Sequence, residues 1–492
     1  MSAASIRFTA VAFAYSDAAP VFGGVDLHLE PGFTGVVGAN GAGKSTFLGL
    51  VAGALRPTAG TIAIEPAGAL VVTCVQEVVA PPPDASIDAI GGKLAARLAL
   101  DNDQLARWPT LSPGERRRWQ LGAALAAAPD VLLLDEPTNH LDAAGRALIV
   151  RALEAYAGIG IVVAHDRALL DDLTRATLRV HDGRVERYPA PYTAAKHLWE
   201  AATARAVAER HAAKHVARRA RDKLADARRT RDAADAGRHL GRHKKSPRDH
   251  DTAEFGAKNV ASWAEARAGR GVEVARREAE RAEAAVPLVE KAKALGRSVF
   301  VGYARSPRRF LYELEAPTLR AGGAVILRDV RVAVGAAARI RIAGANGAGK
   351  TTLLRALVRA DDPQTLFLPQ ELPHDAGETL LAALRATPAL VRGRTLQIVA
   401  ALGVDPDRLL ASMSPSPGEA RKLALAFGLA RHVWGVVLDE PTNHLDLPSI
   451  ERLEVALAAF PGALVVVTHD DAFAARVATT TWRVAGGLVD AR

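Results

Sequence analysis

The sequence predicts an α/β fold in which two similar domains flank a long helical hairpin. Four short motifs recur 304 to 306 residues further along the chain, which indicates a duplicated domain. In each copy, apolar strand-like runs alternate with Ala- and Leu-rich stretches, a pattern typical of a largely parallel sheet with helices. Between the copies, residues 194–235 contain no Pro and no Gly, which favours one long helix. The predicted domains are 1–190 and 301–492, with the hairpin over 191–300.

Both copies contain the same motifs in the same order. Each begins with a Gly-rich loop and later contains a Ser-Pro-Gly-Glu string, an Asp-Glu pair at the start of DEPTNHLD, and a His-Asp pair. The strands expected around them are 33–38, 131–134 and 159–164 in the first copy, and 339–344, 436–438 and 464–468 in the second. The helices expected after SPGE are 116–128 and 421–431.

The segment between the copies predicts two helical arms and a basic tip. The first arm is expected to break at Gly237, the second to begin near Lys258 and to run to about Leu295 with a kink at Pro287. A solvated linker with a charged face is the alternative interpretation. The basic residues proposed to bind RNA phosphates at the tip are Arg238, Arg242, Lys244, Lys245 and Arg248.

Composition excludes several classes of protein. The single cysteine, Cys74, rules out a disulfide scaffold and a Cys-based zinc site. The chain has no apolar run of about 18 residues and no secretory pattern at its start, so we expect a cytoplasmic protein without a membrane partner. The net charge of +9 is concentrated in the hairpin, since residues 201–248 contain 15 Lys and Arg against 5 Asp and Glu. That segment is the candidate surface for a polyanion.

The Gly-rich loops, GANGAGKST from Gly38 and GANGAGKTT from Gly344, predict two phosphate-binding sites. Glycines let backbone N–H groups converge on phosphate oxygens, the lysine reaches the β- and γ-phosphates, and the next hydroxyl ligates Mg²⁺. The residues proposed to bind nucleotide here are Gly38, Asn40, Gly41, Gly43, Lys44, Ser45 and Thr46 in the first copy, and Gly344, Asn346, Gly347, Gly349, Lys350, Thr351 and Thr352 in the second.

Four further polar positions recur in both copies and predict the catalytic groups. Asp135 and Asp439 are expected to hold Mg²⁺ through water. The next residues, Glu136 and Glu440, are expected to orient or deprotonate the attacking water. The remaining candidates are His165 and His469 as γ-phosphate contacts, and Gln76 and Gln370 as side chains near Mg²⁺ and the attacking water.

These motifs, in this order and present twice, resemble ATP-binding cassette domains. The strings LSPGE at 111–115 and PSPGE at 415–419 resemble the family signature, usually written LSGGE. The resemblance implies that Ser112 and Gly114 contact the ATP held on Lys350, and that Ser416 and Gly418 contact the ATP held on Lys44. Pro113 and Pro417 depart from the signature and each remove a backbone donor there.

Tandem cassettes with EPTNHLD and a charged helical linker resemble the ABC-F proteins. This resemblance implies a monomer whose cassettes close into a sandwich on ATP and Mg²⁺, bound in the ribosomal E site, with the linker near the peptidyl-transferase centre. Its expected partners are large-subunit rRNA and P-site tRNA, and no DNA. The short span from Gln76 to Ser112 leaves little room for inserted arm helices, and no coiled coil is expected after His469. Both features favour the antibiotic-resistance type of actinobacteria over a housekeeping translation factor.

Alternatives remain at two points. Tyr15 precedes Lys44 where the family places an aromatic residue on adenine, but a strand-packing role is also possible. In the second copy the equivalent offset holds Ala321, and Phe310 and Tyr312 are nearby candidates. At the level of function, the energy module of an exporter and a DNA-associated cassette ATPase are the competing classes.

Overall fold

In the computed structural model the described residues are 4–16, 20–76, 78–83, 85–139, 141–241, 251–287, 300, 303–358 and 362–491. Within residues 234–241 and 251–265 only the backbone is described, except at Trp263. The chain forms two compact units. One comprises Met1–Ala195 with Lys293–Arg492 and contains both copies of the repeat; the other is Lys196–Ala292.

The first copy is built on a six-stranded sheet with the order β5-β6-β7-β3-β8-β9, in which the strands are parallel except for the edge strand β9, which is antiparallel to β8. A separate antiparallel sheet has the order β2-β1-β4. The strands are β1 Ser5–Ala14, β2 Pro20–Leu29, β3 Gly32–Gly38, β4 Ala59–Glu65, β5 Val71–Cys74, β6 Val131–Asp135, β7 Ile159–Val163, β8 Thr174–His181 and β9 Arg184–Tyr188. The helices are α1 Lys44–Val51, α2 Ile87–Ile90, α3 Gly92–Arg97, α4 Asn102–Ala106, α5 Pro113–Ala126, α6 Ala143–Leu153 and α7 Arg167–Leu173, with a 3₁₀ turn at Trp108–Thr110.

The second copy repeats this topology. Its six-stranded sheet has the order β13-β14-β15-β12-β16-β17, and a two-stranded sheet pairs β10 with β11. The strands are β10 Phe310–Ala321, β11 Ala324–Gly335, β12 Arg339–Ala343, β13 Thr365–Leu368, β14 Gly435–Asp439, β15 Ala463–Val467, β16 Thr480–Ala485 and β17 Leu488–Asp490. The helices are α10 Lys350–Leu357, α11 Ala376–Ala386, α12 Ala389–Ala401, α13 Pro406–Ala411, α14 Pro417–Ala430, α15 Leu447–Ala459 and α16 Asp471–Val477. The predicted α/β fold with a duplicated domain is confirmed.

The central parallel strands are buried on both faces. Every residue of β7, β14 and β15 is buried, because helices cover both sides of each sheet. Cys74 is also buried and unpaired at the end of β5. The functional loops therefore extend from the carboxyl ends of strands that the core holds rigidly.

Two long helices lie between the copies, and their bounds correct the sequence prediction. Helix α8 spans Tyr192–Gly241 and α9 spans Asp251–Ala284. The break predicted at Gly237 is wrong, because α8 continues to Gly241; one glycine costs a helix only about 1 kcal/mol. The second helix begins before Lys258 and ends at Ala284, three residues before Pro287. The predicted continuation to Leu295 lies outside the described residues. A proline disfavours helical geometry at the residue before it, which explains the earlier end.

The two long helices pack as an antiparallel pair. Arg221 forms an ion pair with Glu283, and Lys223 forms one with Glu278. Because the partner's residue number decreases as the number along α8 increases, the two helices run in opposite directions. The helices bury small side chains, namely Ala217, Ala220, Ala275 and Ala279. The predicted helical hairpin is confirmed, with arms of 50 and 34 residues, or about 75 and 50 Å at 1.5 Å per residue. Among the described residues, no helix has the length and apolar character needed to cross a membrane.

The first glycine of each phosphate loop is required by packing. A Cβ on Gly38 would collide with the carbonyl oxygen of Val180, and one on Gly344 with that of Val484. We expect Gly38→Ala or Gly344→Ala to lower the thermal midpoint by roughly 3–10 °C, since forced overpacking costs about 1–3 kcal/mol.

The matched control is Gly23→Ala, because a Cβ there meets no atom within 4 Å. The control should leave the midpoint within about 1–2 °C of the unaltered protein, the range of a neutral surface change. Equal midpoints for Gly38→Ala and Gly23→Ala, measured by calorimetry, would contradict the packing argument.

Candidate nucleotide-binding sites

Each phosphate loop connects a central strand to a helix through two left-handed glycines. In the first loop Gly41 has φ 78° and Gly43 φ 104°. In the second loop Gly347 has φ 78° and Gly349 φ 102°. These angles exclude most side chains. They aim successive N–H groups into the turn and place the N-termini of α1 and α10 beside it, where a phosphate is stabilised.

The loop lysines are buried and anchored to their own loops. The Nζ atom of Lys44 donates to the carbonyls of Gly38 and Ala39, each at 3.0 Å. Lys350 donates to Gly344 and Ala345 at 2.8 and 2.9 Å. Burial lowers the pKa of both lysines. The two loops therefore share one geometry, with a cation held at the mouth of each.

A hydroxyl and a carboxylate meet in each copy where a metal ion is predicted. The Ser45 Oγ atom lies 3.4 Å from Asp135 Oδ2, and the Thr351 Oγ1 atom 2.7 Å from Asp439 Oδ2. Burial raises the pKa of both aspartates. Hard oxygen donors of this kind suit Mg²⁺, which completes its shell with water and phosphate oxygens. The residues present fit the ion.

The glutamate after each strand adopts a backbone conformation that is rare for its residue type. Glu136 has φ 51° and Glu440 φ 46°, and their N–H groups donate to Val163 and Val467 on the neighbouring strands. Left-handed geometry in a non-glycine residue costs about 1–3 kcal/mol and is concentrated at functional sites. The conformation turns both carboxylates out of the sheet and into the cavity.

Each of these glutamates contacts the recurring histidine. The His165 Nε2 atom lies 3.3 Å from Glu136 Oε1, and the His469 Nε2 atom 3.4 Å from Glu440 Oε1. Burial raises the pKa of Glu136 to about 8 and that of Glu440 to about 7. Burial also lowers the pKa of His165 to about 3 and that of His469 to about 4, so the imidazoles are neutral near pH 7.

One oxygen of each glutamate remains available for a ligand. The Oε1 atoms of Glu136 and Glu440 are buried, and although an imidazole nitrogen lies 3.3 or 3.4 Å from each, neither atom accepts a well-aligned hydrogen bond within the described part of the chain. Buried polar atoms are nearly always hydrogen-bonded in native proteins, so these acceptor atoms indicate the position of a bound water. This arrangement fits the proposed role of both glutamates.

The signature prolines do not disturb the helices that they begin. Pro113 and Pro417 occupy the first turn of α5 and α14, where the missing N–H would have no helical partner. Ser112 and Ser416 cap these helices through a capping box with Glu115 and Glu419. The backbone N–H that each proline removes therefore takes no hydrogen bond away from the helix.

The two copies contact each other at the phosphate loops. The backbone N–H of Asn40 donates to Asp446 Oδ2 at 2.6 Å, and that of Asn346 donates to Asp142 Oδ2 at 3.3 Å. A Cβ placed on Gly418 would lie 3.5 Å from Asn40 Nδ2. The signature of the second copy thus faces the loop of the first, as the resemblance implies for a sandwich.

A cavity of about 1860 Å³ contains most of the predicted site residues from both copies. Since a typical ligand pocket measures about 300–1,000 Å³, this volume accommodates two nucleotides. The predicted residues that line it are Tyr15, Asn40, Gly41, Gly43, Lys44, Ser45, Thr46, Gln76, Ser112, Gly114, Asp135, Glu136, His165, Asn346, Gly347, Gly349, Lys350, Thr351, Thr352, Gln370, Ser416, Gly418, Asp439, Glu440 and His469.

Some predicted residues lie elsewhere. Gly38 and Gly344 pack against neighbouring strands, as described above. Arg238 lies on α8, but its side chain is outside the described residues, and so are all atoms of Arg242, Lys244, Lys245 and Arg248. The RNA-binding role of the tip remains a prediction.

The adenine side of the two sites differs. Tyr15 is 68% exposed, contacts Phe13 edge-on and lies 2.9 Å from the Thr46 hydroxyl. In the second copy the Tyr312 side chain is buried and its hydroxyl forms a hydrogen bond with the Thr365 hydroxyl, so this ring is not available to stack on adenine. Phe310 lies with it at the start of β10, whereas Ala321 at the other end of the strand lines the cavity.

Sequence reasoning missed two buried arginines, Arg117 and Arg421. Each lies five residues after the signature serine and bonds the backbone carbonyl of the cavity-lining glutamine, Gln76 or Gln370. The available signal is an arginine on the inward face of a helix, among small and apolar side chains, where a charge requires several partners.

Comparisons with known proteins agree with this arrangement. The family model described as ABC transporter matches residues 22–139. The tylosin resistance ATP-binding protein TlrC of Streptomyces fradiae is 30% identical over 94% of each chain. The translational throttle protein EttA of Mycobacterium tuberculosis is 28% identical over 92% of this chain and 87% of its own. The ribosome protection protein VmlR of Bacillus subtilis is 25% identical over 92% and 82%.

The two glutamates should give distinguishable pH profiles of ATP hydrolysis. A general base acts when deprotonated, so the rate should rise as the pH passes its pKa. With Glu440→Gln the first site should gain activity near pH 8, and with Glu136→Gln the second site near pH 7. The double variant should bind ATP but hydrolyse it at least about 100-fold more slowly, the lower range for losing a base. Unchanged turnover in the double variant would rule out both glutamates.

Proposed function

The chain belongs to the ABC-F family of tandem ATP-binding cassette ATPases, and we propose that it binds the ribosome in its ATP-closed state and protects it from antibiotics. The observation that supports this most is the combination of two cassettes, joined at their phosphate loops, with a long basic hairpin between them. Among its relatives, TlrC is named for tylosin resistance and VmlR for ribosome protection, and both names support this proposal.

Each site is suited to hydrolyse ATP with residues from both cassettes. Lys44 or Lys350 would bind the β- and γ-phosphates, which the glycine-rich turn surrounds with N–H groups. Mg²⁺, held by Ser45 with Asp135 or by Thr351 with Asp439, would neutralise the charge that develops during phosphoryl transfer.

The attacking water would be held by the strained glutamate. Glu136 and Glu440 each present a buried oxygen that has no hydrogen-bond partner among the described residues, and an ionised carboxylate there accepts a proton from water. The neutral imidazole of His165 or His469 carries one N–H, which can donate to the γ-phosphate. The glutamines Gln76 and Gln370 line the cavity and would contact Mg²⁺ or the water. The signature residues of the opposite cassette would close over the nucleotide.

The hairpin supplies the reach and charge that an RNA partner requires. Residues 201–248 contain ten more basic than acidic residues, whereas the rest of the chain is nearly neutral. In the ABC-F interpretation the cassettes occupy the E site, and the hairpin extends toward P-site tRNA and the peptidyl-transferase centre. Basic side chains there would bind rRNA or tRNA phosphates.

A housekeeping role in translation is the second candidate. The similarity to the translational throttle protein EttA extends over 92% of this chain, so a role in translation without drug protection has its own support. The two roles differ in a simple respect, since only a protection factor raises the drug tolerance of a sensitive host.

Ribosome binding should weaken steeply with salt. Each phosphate contact releases counterions, so log affinity should fall linearly with log salt concentration. Replacing Arg242, Lys244, Lys245 and Arg248 with glutamine should make this slope about 3–4 units shallower, near one unit per lost contact. The measurement is pelleting with ribosomes in ATP at several salt concentrations, with membranes as the control fraction. An unchanged slope would assign the contacts to the cassettes, and pelleting with membranes would favour an exporter module.

The hairpin tip should be needed for protection but not for ATP hydrolysis. Replacing residues 237–249 with a short Gly/Ser turn leaves every described cavity residue in place. ATPase activity and ATP-dependent ribosome pelleting should therefore survive, although lost charge weakens the pelleting. Protection should disappear, measured as minimum inhibitory concentrations of large-subunit drugs in a sensitive host. Equal protection by both forms would reduce the tip to a connector, and no protection by the intact protein would favour the housekeeping role.

A further inference from the structure

Arg421 is one of the most deeply buried charged residues in the second cassette. It lies in the second turn of α14, five residues after the capping Ser416, and only 2% of it is exposed. A guanidinium remains charged in proteins, so burying it requires partners for every N–H group. The identity of those partners indicates what the residue does.

All five N–H donors of Arg421 are used by backbone carbonyls. The Nε atom donates to Pro441 at 3.4 Å. The Nη1 atom donates to Pro369 at 3.3 Å and Gln370 at 2.9 Å. The Nη2 atom donates to Asp439 at 2.9 Å and Glu440 at 2.6 Å. The rigid guanidinium fork therefore fixes two chain segments at once.

Both segments carry groups proposed to act in hydrolysis. Gln370 follows β13 and lines the cavity, whereas Asp439 and Glu440 form the end of β14. Glu440 has a left-handed backbone, which persists only if the surroundings over-determine it. The bonds from Arg421 to the carbonyls on both sides of this strained residue provide that restraint.

The first cassette uses its equivalent arginine differently. Arg117 donates to the carbonyls of Val75 and Gln76 and, at 3.0 Å, to the Gln120 side chain. Within the described residues it makes no bond to the carbonyls of Asp135 or Glu136. The sequence explains the difference, because the position of Gln120 is occupied by Ala424 in the second cassette. Without that competing acceptor, Arg421 extends to the strand end.

We propose that Arg421 is a positioning residue for ATP hydrolysis at the second site, where it fixes Gln370 and Glu440 relative to each other. The same helix α14 begins at Ser416 and Gly418, which face the phosphate loop of the first cassette. Arg421 therefore also connects closure over the first nucleotide to the catalytic geometry around the second. Arg117 binds the carbonyls of Val75 and Gln76 and the side chain of Gln120, but within the described residues it does not bind the backbone of the catalytic glutamate of its own cassette.

The test measures each site separately. Arg421→Met is combined with Glu136→Gln, so that the second site alone hydrolyses ATP, and Arg117→Met with Glu440→Gln as the matched control. We expect Arg421→Met to lower kcat at least about tenfold, because displacing a catalytic group by about 1 Å costs up to 10²-fold. The KM for ATP should change less than about twofold, since no nucleotide contact is removed. Arg117→Met should lower kcat at the first site less than about threefold. The reason is that Arg117, within the described residues, forms no hydrogen bond to the backbone of Asp135 or Glu136, so its loss leaves the glutamate in place.

Folding is checked by the thermal midpoint and by nucleotide binding. If Arg421→Met melts below the assay temperature, Arg421→Lys replaces it; an ammonium keeps the charge but has three donors and cannot reach both segments. A fall in kcat for Arg421→Lys, at unchanged KM, supports the proposal. Three results would show that the arginine only fills the core. The first is a wild-type kcat for either folded Arg421 variant, and the second is a change confined to KM. The third is an equal loss of kcat for Arg117→Met and Arg421→Met.

Discussion

Each nucleotide site depends on a contact from the opposite cassette. The Asn40 N–H in the first phosphate loop donates to Asp446, and the Asn346 N–H in the second donates to Asp142. These aspartates also cap α15 and α6, so each contact fixes a helix start as well as a loop. Since one carboxylate serves both purposes, neither cassette completes its phosphate loop without the other.

The contacts between the two cassettes are not symmetric. The Asn40–Asp446 contact measures 2.6 Å and its counterpart 3.3 Å. Glu454 forms a buried ion pair with Arg167 at 2.6 Å, whereas the position equivalent to Glu454 in the first cassette is Val150. Removing one member of such a pair costs about 3–5 kcal/mol because a charge remains buried. One flank of the sandwich therefore carries a buried ion pair that the sequence does not allow at the equivalent position of the other flank.

Repetition made most of the fold and the phosphate loops predictable from the sequence. Strand ends followed directly from the apolar runs, as at β7 and β14. The wrong predictions concern positions where tertiary packing outweighs local sequence preference. Helix α8 continues through Gly237, and Tyr312 is a core residue despite its position near an expected adenine site. The bonds of Arg421 were not predictable, because they join segments about 50 residues apart through backbone carbonyls that carry no sequence signal.

Helix α15 connects the first nucleotide site to the start of α8. It begins at the capping Asp446, which binds the first phosphate loop, and its Glu451 accepts a 2.7 Å hydrogen bond from the Tyr192 hydroxyl at the first residue of α8. About one turn after Asp446, Glu451 contacts the start of α8. About two turns after Asp446, Glu454 contacts the first residue of α7, Arg167. A helix of 13 residues moves as a rigid rod, so a displacement of Asp446 moves all three contacts together. The phosphate loop of the first cassette and the residue that begins the hairpin helix are thus held by one element.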